Sequence, residues 1–282
     1  MIKFAVSAAL EKLPESQPVT LRGDINEVCE TAAKIGYDAV ELHVKEPLRY
    51  DAGRIRECAE SCGLSICAVA NGMEYTVNRL SLISEAEPER RLAIDRLREH
   101  ADFAAGLRAK LIVGIMRGNI PQNAERDDCV RRFRESLSEI CGYAALTDTE
   151  VVLESIVRYI NNYLNSVPET MGFIQSLGAP NLSLHMDTHS MAVEEGDMCV
   201  SVRYCMGKPL SYVHYSDNNR MYPGGGYLDF KAITHALLDI GYDGFVTVEC
   251  LPHPDPLASA QRAFDYLSGM MKMVEIERLS RI

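Results

Sequence analysis

The chain has 282 residues, of which 47% are hydrophobic and 24% are charged. This composition is typical of an ordinary globular protein and excludes a disordered or fibrous chain. The formal net charge is -11. Nucleic acids and anionic membrane surfaces bind clustered Lys and Arg, so neither is expected as a partner.

The nine cysteines are odd in number and scattered along the chain, which is typical of a reduced, cytoplasmic protein. Cys58 and Cys62 lie on one predicted helix, but no second Cys pair or His pair accompanies them, so a zinc knuckle is not expected. The apolar stretch at the N-terminus is too short for a signal peptide, and no apolar run approaches the length of a transmembrane helix. We therefore expect a soluble cytoplasmic protein.

Short apolar segments rich in Val, Ile and Leu alternate along the chain with longer segments of helical period. The predicted strands lie near residues 2–7, 38–43, 64–69, 110–115, 150–154, 181–187, 210–216 and 244–249. The predicted helices lie near residues 24–35, 51–62, 86–107, 124–146, 167–177, 192–206, 229–240 and 257–277.

Eight strand and helix units without a break in composition predict an α/β fold, a single (β/α)8 TIM barrel domain over residues 1–282. A dinucleotide-binding fold would place a glycine-rich phosphate loop after the first strand. The only glycine cluster, Gly224 to Gly226, follows the seventh strand instead. The glycine pattern therefore favours a closed barrel over an open sheet.

Side chains alternate between the two faces of a strand, so each of the last four strands has an identifiable inward face. On each of these strands the inward set ends with a polar residue at the C-terminal end: Glu154, Asp187, His214 and Glu249. Active sites of (β/α)8 barrels lie at that end. The sequence therefore predicts that these four side chains converge.

Three clustered carboxylates repel one another unless a cation lies between them. A single acidic residue at a strand end is more often a helix cap or a solvated charge, but three acidic residues and a histidine at corresponding positions of four adjacent strands favour a ligand set. Carboxylates with one imidazole suit Mn, Mg or Co, and the absence of thiolates speaks against a structural zinc site. We expect one divalent metal ion; these residues leave its identity open among Mn, Mg, Co and Zn, of which we take manganese first.

At these residues the sequence resembles the xylose isomerase-like TIM barrel superfamily, in particular its branch of ketose 3-epimerases and 5-keto-gluconate epimerase-like proteins. The similarity spans nearly the whole chain. Among the segments that carry it are GYDAVELHVKEP, IVGIMRG, LESIVRYINNYLNS, LHMDTHSMAVEEGD, HYSDNNRMYPGGGYLDF and VTVECLP.

The resemblance implies a divalent-metal-dependent sugar isomerase or epimerase that acts on a ketose or keto-sugar acid through a metal-bound cis-enediolate. It implies that Glu154, Asp187, His214 and Glu249 bind the metal and that Glu154 and Glu249 are also the catalytic acid and base. It assigns Arg220 to a substrate oxygen, with a loop surface charge as the alternative. It also suggests a homodimer or homotetramer.

The chain departs from the family pattern at three positions close to the ligand set. Ile160 stands where the branch commonly has Glu, Ser190 where it has His, and Val157 where it has Asn. The Glu and His contact the substrate around the reacting carbons in the family. These departures leave the substrate and the reacting carbon open.

Other function classes remain as alternatives. The first is a lyase or dehydratase of the same superfamily, of the inosose or C-glycoside type. An endonuclease IV-like phosphodiesterase is disfavoured by the net charge and the missing His at Ser190. A sugar-binding barrel without turnover is disfavoured because both acid-base carboxylates are retained.

Further polar residues are candidates for contact with the substrate. His189 can supply an imidazole in place of Ser190 or can be an exposed or capping residue. Arg117 can bind a carboxylate or phosphate or pair with a helix. His185 is either a support for the metal ligands or a satisfied interior histidine. Glu41 and His43 share one face of the second strand and reach either the substrate or the barrel floor.

Overall fold

The computed structural model describes residues 2–280, and every strand pair in it is parallel. The strands are β1 (Lys3–Ala9), β2 (Leu21–Arg22), β3 (Ala39–His43), β4 (Ser65–Ala70), β5 (Lys110–Val113), β6 (Val151–Glu154), β7 (Leu182–Asp187), β8 (Leu210–Tyr215) and β9 (Phe245–Val248). Strand β1 pairs with both β3 and β9, so eight strands close into a barrel, and β2 adds to β1 alone.

Helices connect the strands on the outside of the barrel. They are α1 (Ile25–Ile35), α2 (Ala52–Ser61), α3 (Gly72–Thr76), α4 (Glu87–Leu107), α5 (Arg126–Ala145), α6 (Val167–Leu177), α7 (Thr188–Glu194), α8 (Met198–Tyr204), α9 (Phe230–Asp239) and α10 (Pro256–Leu279). Two short 3-10 turns cover Pro47–Arg49 and Ile115–Arg117. Within residues 2–280, none of the helices combines the length and apolar character needed to cross a bilayer.

The predicted single (β/α)8 barrel is confirmed, and each of the eight predicted strands is present. The predicted helix over residues 192–206 is wrong, because two separate helices occupy this region. The carboxylate of Asp187 accepts a hydrogen bond from the Ser190 amide and begins α7 directly after β7. Asp197 caps α8 in the same way, through the Val200 amide. Two aspartate caps so close together favour two short helices over one.

Apolar side chains form two layers, one inside the barrel and one between the strands and the helices. The inner layer is small and includes Ala5, Ala39, Cys67, Ala68, Ala70, Ile112, Val152 and Tyr212. The outer layer takes the alternate residues of the same strands, such as Leu153, Leu184, Val213 and Val246. The faces predicted for β6 to β9 therefore agree with the packing.

Strand register brings the polar strand ends to one level. Glu154 lies opposite His185 across the β6–β7 pair, and Asp187 lies opposite His214 across the β7–β8 pair. His214 in turn lies opposite Thr247, two residues before Glu249. The parallel pairing therefore gathers all four predicted ligands at the C-terminal face of the barrel.

Candidate metal centre

The four predicted ligands lie together at the carboxyl ends of β6 to β9, where Asp187, His214 and Glu249 are buried and Glu154 is partly buried. Ligand atoms of Asp187, His214 and Glu249 lie within 4.8 Å of one another, and those of Glu154, His185 and His214 do so as well. His214 belongs to both groups. The structure thus brings together all the residues that the alternation of strand faces predicted.

Glu41 of β3 fixes the orientation of the His214 ring. Its Oε2 lies 2.7 Å from His214 Nε2 and accepts a hydrogen bond of 2.7 Å from the Tyr212 hydroxyl. Its Oε1 lies 2.7 Å from His43 Nε2. With Nε2 donating to Glu41, the Nδ1 atom of His214 faces Glu249, whose Oε2 lies 3.5 Å away. A carboxylate behind a histidine is the usual support for an imidazole metal ligand.

Charge around His214 favours a cation between the carboxylates. Burial alone would lower the pKa of His214, but the charges of Glu41 and Glu249 raise it well above its usual value. Burial likewise opposes ionisation of Glu41, yet the charge of His214 and its hydrogen bonds hold the Glu41 pKa well below the usual range. In the metal-free chain a proton on His214 therefore supplies the positive charge that a metal ion would bring.

Arg220 bridges two of the candidate ligands. Its Nη1 lies 2.5 Å from Asp187 Oδ2, 3.3 Å from Glu249 Oε2 and 3.1 Å from Ser216 Oγ. Although burial acts in the opposite direction, the charges of Arg220 and His214 lower the pKa of Asp187 to about 2. Asp187 is therefore an anion throughout the neutral pH range.

The loop after β8 holds Arg220 in place through Asp217. The carboxylate of Asp217 accepts hydrogen bonds from the backbone amides of Gly224, Gly226 and Leu228. A Cβ at Gly226 would lie 2.3 Å from Asp217 Oδ1, so this position requires glycine. Arg220 itself has a φ of 62°, and its amide donates to the Asp217 carbonyl. The glycine cluster thus serves a tight loop around the centre.

Glu154 is an acid of the centre whose pKa is raised. Burial, followed by the charges of Glu249 and Asp187, raises its pKa to about 8. Its carboxylate lies against Gly114, where a Cβ would approach Glu154 Oε2 to 2.5 Å. The glycine after β5 therefore makes room for a carboxyl group that keeps its proton near neutral pH when no metal is bound.

Several buried atoms of the centre lack a hydrogen bond, which supports a divalent cation at this donor set. His214 Nδ1 and Glu249 Oε2 are sealed from solvent and make no hydrogen bond among the described residues, although Glu249 Oε2 forms ion pairs with Arg220 and His214. Both ring nitrogens of His185 are also sealed from solvent and make no hydrogen bond among the described residues. Burial lowers the pKa of His185 well below its usual value. Buried polar atoms are almost always satisfied, so these atoms indicate a missing partner. Carboxylate oxygens and one imidazole nitrogen are suitable ligands for such an ion.

A cavity of about 310 Å³ opens onto the centre, a volume at the lower end of the range for small-molecule sites. Glu154, His214, Arg220 and Glu249 line its floor. The remaining wall combines residues from several strand ends and loops: Ser16, Gln17, Pro18, Val19, His43, Ala70, Asn71, Gly72, Thr76, Ile112, Gly114, Ile115, Ile156 and Ile160.

Arg117 and His189 are not among the residues that line this cavity. Arg117 is fully buried; it donates to the Leu164 carbonyl, and its guanidinium packs on the Tyr163 ring. The proposed contact of Arg117 with a substrate carboxylate or phosphate is therefore not supported. The alternative was an ion pair between Arg117 and a helix, and the described residues include no such pair. Half-buried His189 lies in α7, and burial followed by the Arg220 charge lowers its pKa.

Two of the three departures from the family pattern, Ile160 and Ser190, have different surroundings. Ile160 is 42% exposed and lines the cavity. Ser190 is buried, and its hydroxyl accepts a hydrogen bond of 3.1 Å from the Val157 amide. Ser190 therefore supports the backbone after β6, whereas Ile160 gives the cavity an apolar surface.

Replacing Glu41 by glutamine is expected to weaken manganese binding about 10- to 100-fold, the effect usual for the carboxylate behind a metal-binding histidine. The amide can no longer serve as an acceptor for His214, Tyr212 and His43 together. Isothermal titration calorimetry with MnCl2 measures the affinity. The exposed Glu135→Gln variant is the matched control for loss of one negative charge. Equal manganese affinities of Glu41→Gln and Glu135→Gln would show that Glu41 does not support the metal centre.

Residues 29–269 match the xylose isomerase-like TIM barrel family. The L-ribulose 3-epimerase of Mesorhizobium japonicum is 26% identical, over 78% of this chain and 73% of that protein. The D-psicose 3-epimerase of Agrobacterium fabrum is 27% identical, over 78% of this chain and 77% of that protein. A solved L-ribulose 3-epimerase superposes with a TM-score of 0.84 at 20% identity, covering 99% of this chain and 97% of the other. The chain belongs to the xylose isomerase-like TIM barrel family.

Proposed function

We propose that this protein is a divalent-metal-dependent epimerase that acts on a ketose or keto-sugar acid. The observation that carries the proposal is the convergence of Glu154, Asp187, His214 and Glu249 at the end of the barrel where chemistry takes place in this fold. Ketose 3-epimerases among the relatives support the same reaction type. We take the metal to be manganese and the working protein to be a cytoplasmic homo-oligomer.

The four converging side chains would hold the metal. A divalent ion held there would supply positive charge that stabilises the negative charge developing on the substrate. Arg220 brings a further positive charge beside Glu249 and can hold a substrate oxygen. Glu154 and Glu249 are the two groups that exchange a proton with the carbon next to the ketone.

Removal of the metal tests the function directly. The protein is incubated with EDTA, desalted, and assayed with a panel of ketoses and keto-sugar acids in D2O by NMR. We expect no turnover without metal and full recovery with MnCl2, with deuterium incorporated at the epimerised carbon. Purified protein that holds no divalent metal and turns over ketoses equally well in EDTA would overturn the proposal.

A lyase or dehydratase is the second candidate, favoured by one feature of the cavity. Ile160 presents an apolar surface where the resemblance places a substrate-binding Glu, so the reacting carbon can differ. The same NMR assay separates the two reactions. Deuterium incorporation with an intact carbon and oxygen skeleton supports the epimerase, while loss of water or of an aglycone supports the lyase.

A further inference from the structure

His43 is the last residue of β3 and lines the cavity beside the metal centre. Its Nε2 lies 2.7 Å from Glu41 Oε1 and 3.7 Å from Glu249 Oε1. Glu41 is fully buried and is itself fixed by His214 and the Tyr212 hydroxyl. The ring of His43 is therefore held by a rigid carboxylate at the side of Glu249.

Both neighbours of His43 Nε2 are carboxylate oxygens, which only accept hydrogen bonds. Nε2 therefore carries a hydrogen and donates it to Glu41. The other ring nitrogen, Nδ1, makes no hydrogen bond to any residue in 2–280 and is not among the atoms sealed from solvent. This nitrogen is free to meet a group that enters the cavity.

Polar groups of the cavity wall differ in whether they are fixed: the side chains of Ser16, Gln17 and Thr76 make no hydrogen bond to the described residues, whereas His43 is held by Glu41. The amide of Asn71 already donates to the Ile112 carbonyl at 2.6 Å. The wall formed by β5, β6 and their loops presents Ile115, Ile156 and Ile160. A substrate rich in hydroxyl groups thus meets an apolar surface on this side and a fixed imidazole at His43.

We propose that His43 is a substrate-binding residue that selects one hydroxyl of the sugar through Nδ1. Because Nε2 lies 3.7 Å from Glu249 Oε1, the selected hydroxyl lies on, or next to, the carbon that exchanges a proton with Glu249. His43 thus supplies a polar contact with the substrate, which the apolar side chain of Ile160 cannot supply. The inference rests on the proposed epimerase function for its assignment of the reacting carbon.

Two isosteric variants separate contact with the substrate from support of Glu41. In His43→Asn the side-chain oxygen replaces Nδ1 and the contact with Glu41 is lost. In His43→Gln the amide nitrogen replaces Nε2, which keeps the contact with Glu41 and loses the acceptor at Nδ1. We expect His43→Gln to lower kcat/KM about 10-fold, the usual worth of one hydrogen bond, and His43→Asn to lower it less. Manganese affinity, measured by calorimetry, should change little in His43→Gln.

Deoxy analogues give the decisive readout. The wild type and His43→Gln are compared on ketoses that lack one hydroxyl at a time, and the 10-fold difference should disappear for one analogue only. A difference that persists with every analogue, or a larger loss in His43→Asn than in His43→Gln, would show that His43 acts only through Glu41 and would overturn the inference.

The proposed function and the role of His43 can fail separately. If the wild type turns over no ketose, the epimerase proposal fails, and calorimetric binding of the same ketoses to the manganese-loaded variants still tests His43. Weaker binding to His43→Gln, limited to sugars that carry the selected hydroxyl, supports the inference. Equal binding by all variants, or no binding by any of them, refutes it.

Discussion

The Glu249→Gln variant is expected to epimerise its ketose about 1,000-fold more slowly than the wild type while it still exchanges deuterium into one of the two epimers. If two carboxylates serve opposite faces of the reacting carbon, loss of one leaves the other able to remove a proton and return it to the same face. Glu154→Gln should behave as the mirror image and exchange only the other epimer. NMR in D2O, started separately from each epimer, measures inversion and exchange together.

Loss of metal has to be separated from loss of the acid-base group, because Glu249 is expected to serve both purposes. Asp187→Asn is the matched control, since it removes a candidate ligand and leaves both acid-base carboxylates. It should lose inversion and exchange equally for both epimers, in proportion to its manganese content. If Glu249→Gln and Glu154→Gln show the same exchange pattern as Asp187→Asn at full manganese occupancy, the two-carboxylate mechanism is wrong.

The fold and the composition of the centre could be predicted because both depend on patterns along single strands. The alternation at Asp187 and His214 identifies the inward face, and parallel register places successive strand ends side by side. The predicted barrel therefore needed no knowledge of which helices pack together. The predicted helix near residues 24–35 agrees with α1, where Asp24 caps the helix and Gly36 ends it at a φ of 114°.

Contacts between strands that are not neighbours in the barrel could not be predicted from patterns along single strands. Glu41 lies on β3 and hydrogen bonds to His214 on β8, and no pattern within either strand records that pairing. Arg117 shows a related limit, because a charged residue after a strand end indicates solvent or substrate, whereas this side chain is fully buried against Tyr163. One signal in the sequence indicated the residues that support the metal centre: Glu41 lies two positions before His43, and both face inward on β3.

The metal-free protein is expected to lose stability as the pH rises from about 4.5 to about 8, and Glu154→Gln should remove most of this loss. The pKa of Glu154 is raised from 4.5 to about 8 by burial and by the charges of Glu249 and Asp187. A carboxyl group whose pKa is raised on folding stabilises the fold fully below its unfolded pKa and loses that contribution as the pH rises through its folded pKa. At about 1.4 kcal/mol per pH unit, ionising Glu154 costs the metal-free fold about 4 kcal/mol across this window.

Urea unfolding of the EDTA-treated protein at pH 5, 6.5 and 8 measures the slope, with Glu135→Gln as the exposed control. His214, whose pKa is raised, contributes a loss of the same sign above its unfolded pKa, and His185, whose pKa is lowered, acts in the opposite sense at lower pH. Only the difference between wild type and Glu154→Gln therefore isolates the carboxyl group. Saturating manganese should abolish the difference in slope, because a cation between the carboxylates removes the reason for Glu154 to keep its proton. Parallel slopes in the two metal-free proteins would mean that Glu154 is ionised without a metal, and that Arg220 and His214 alone neutralise the three carboxylates.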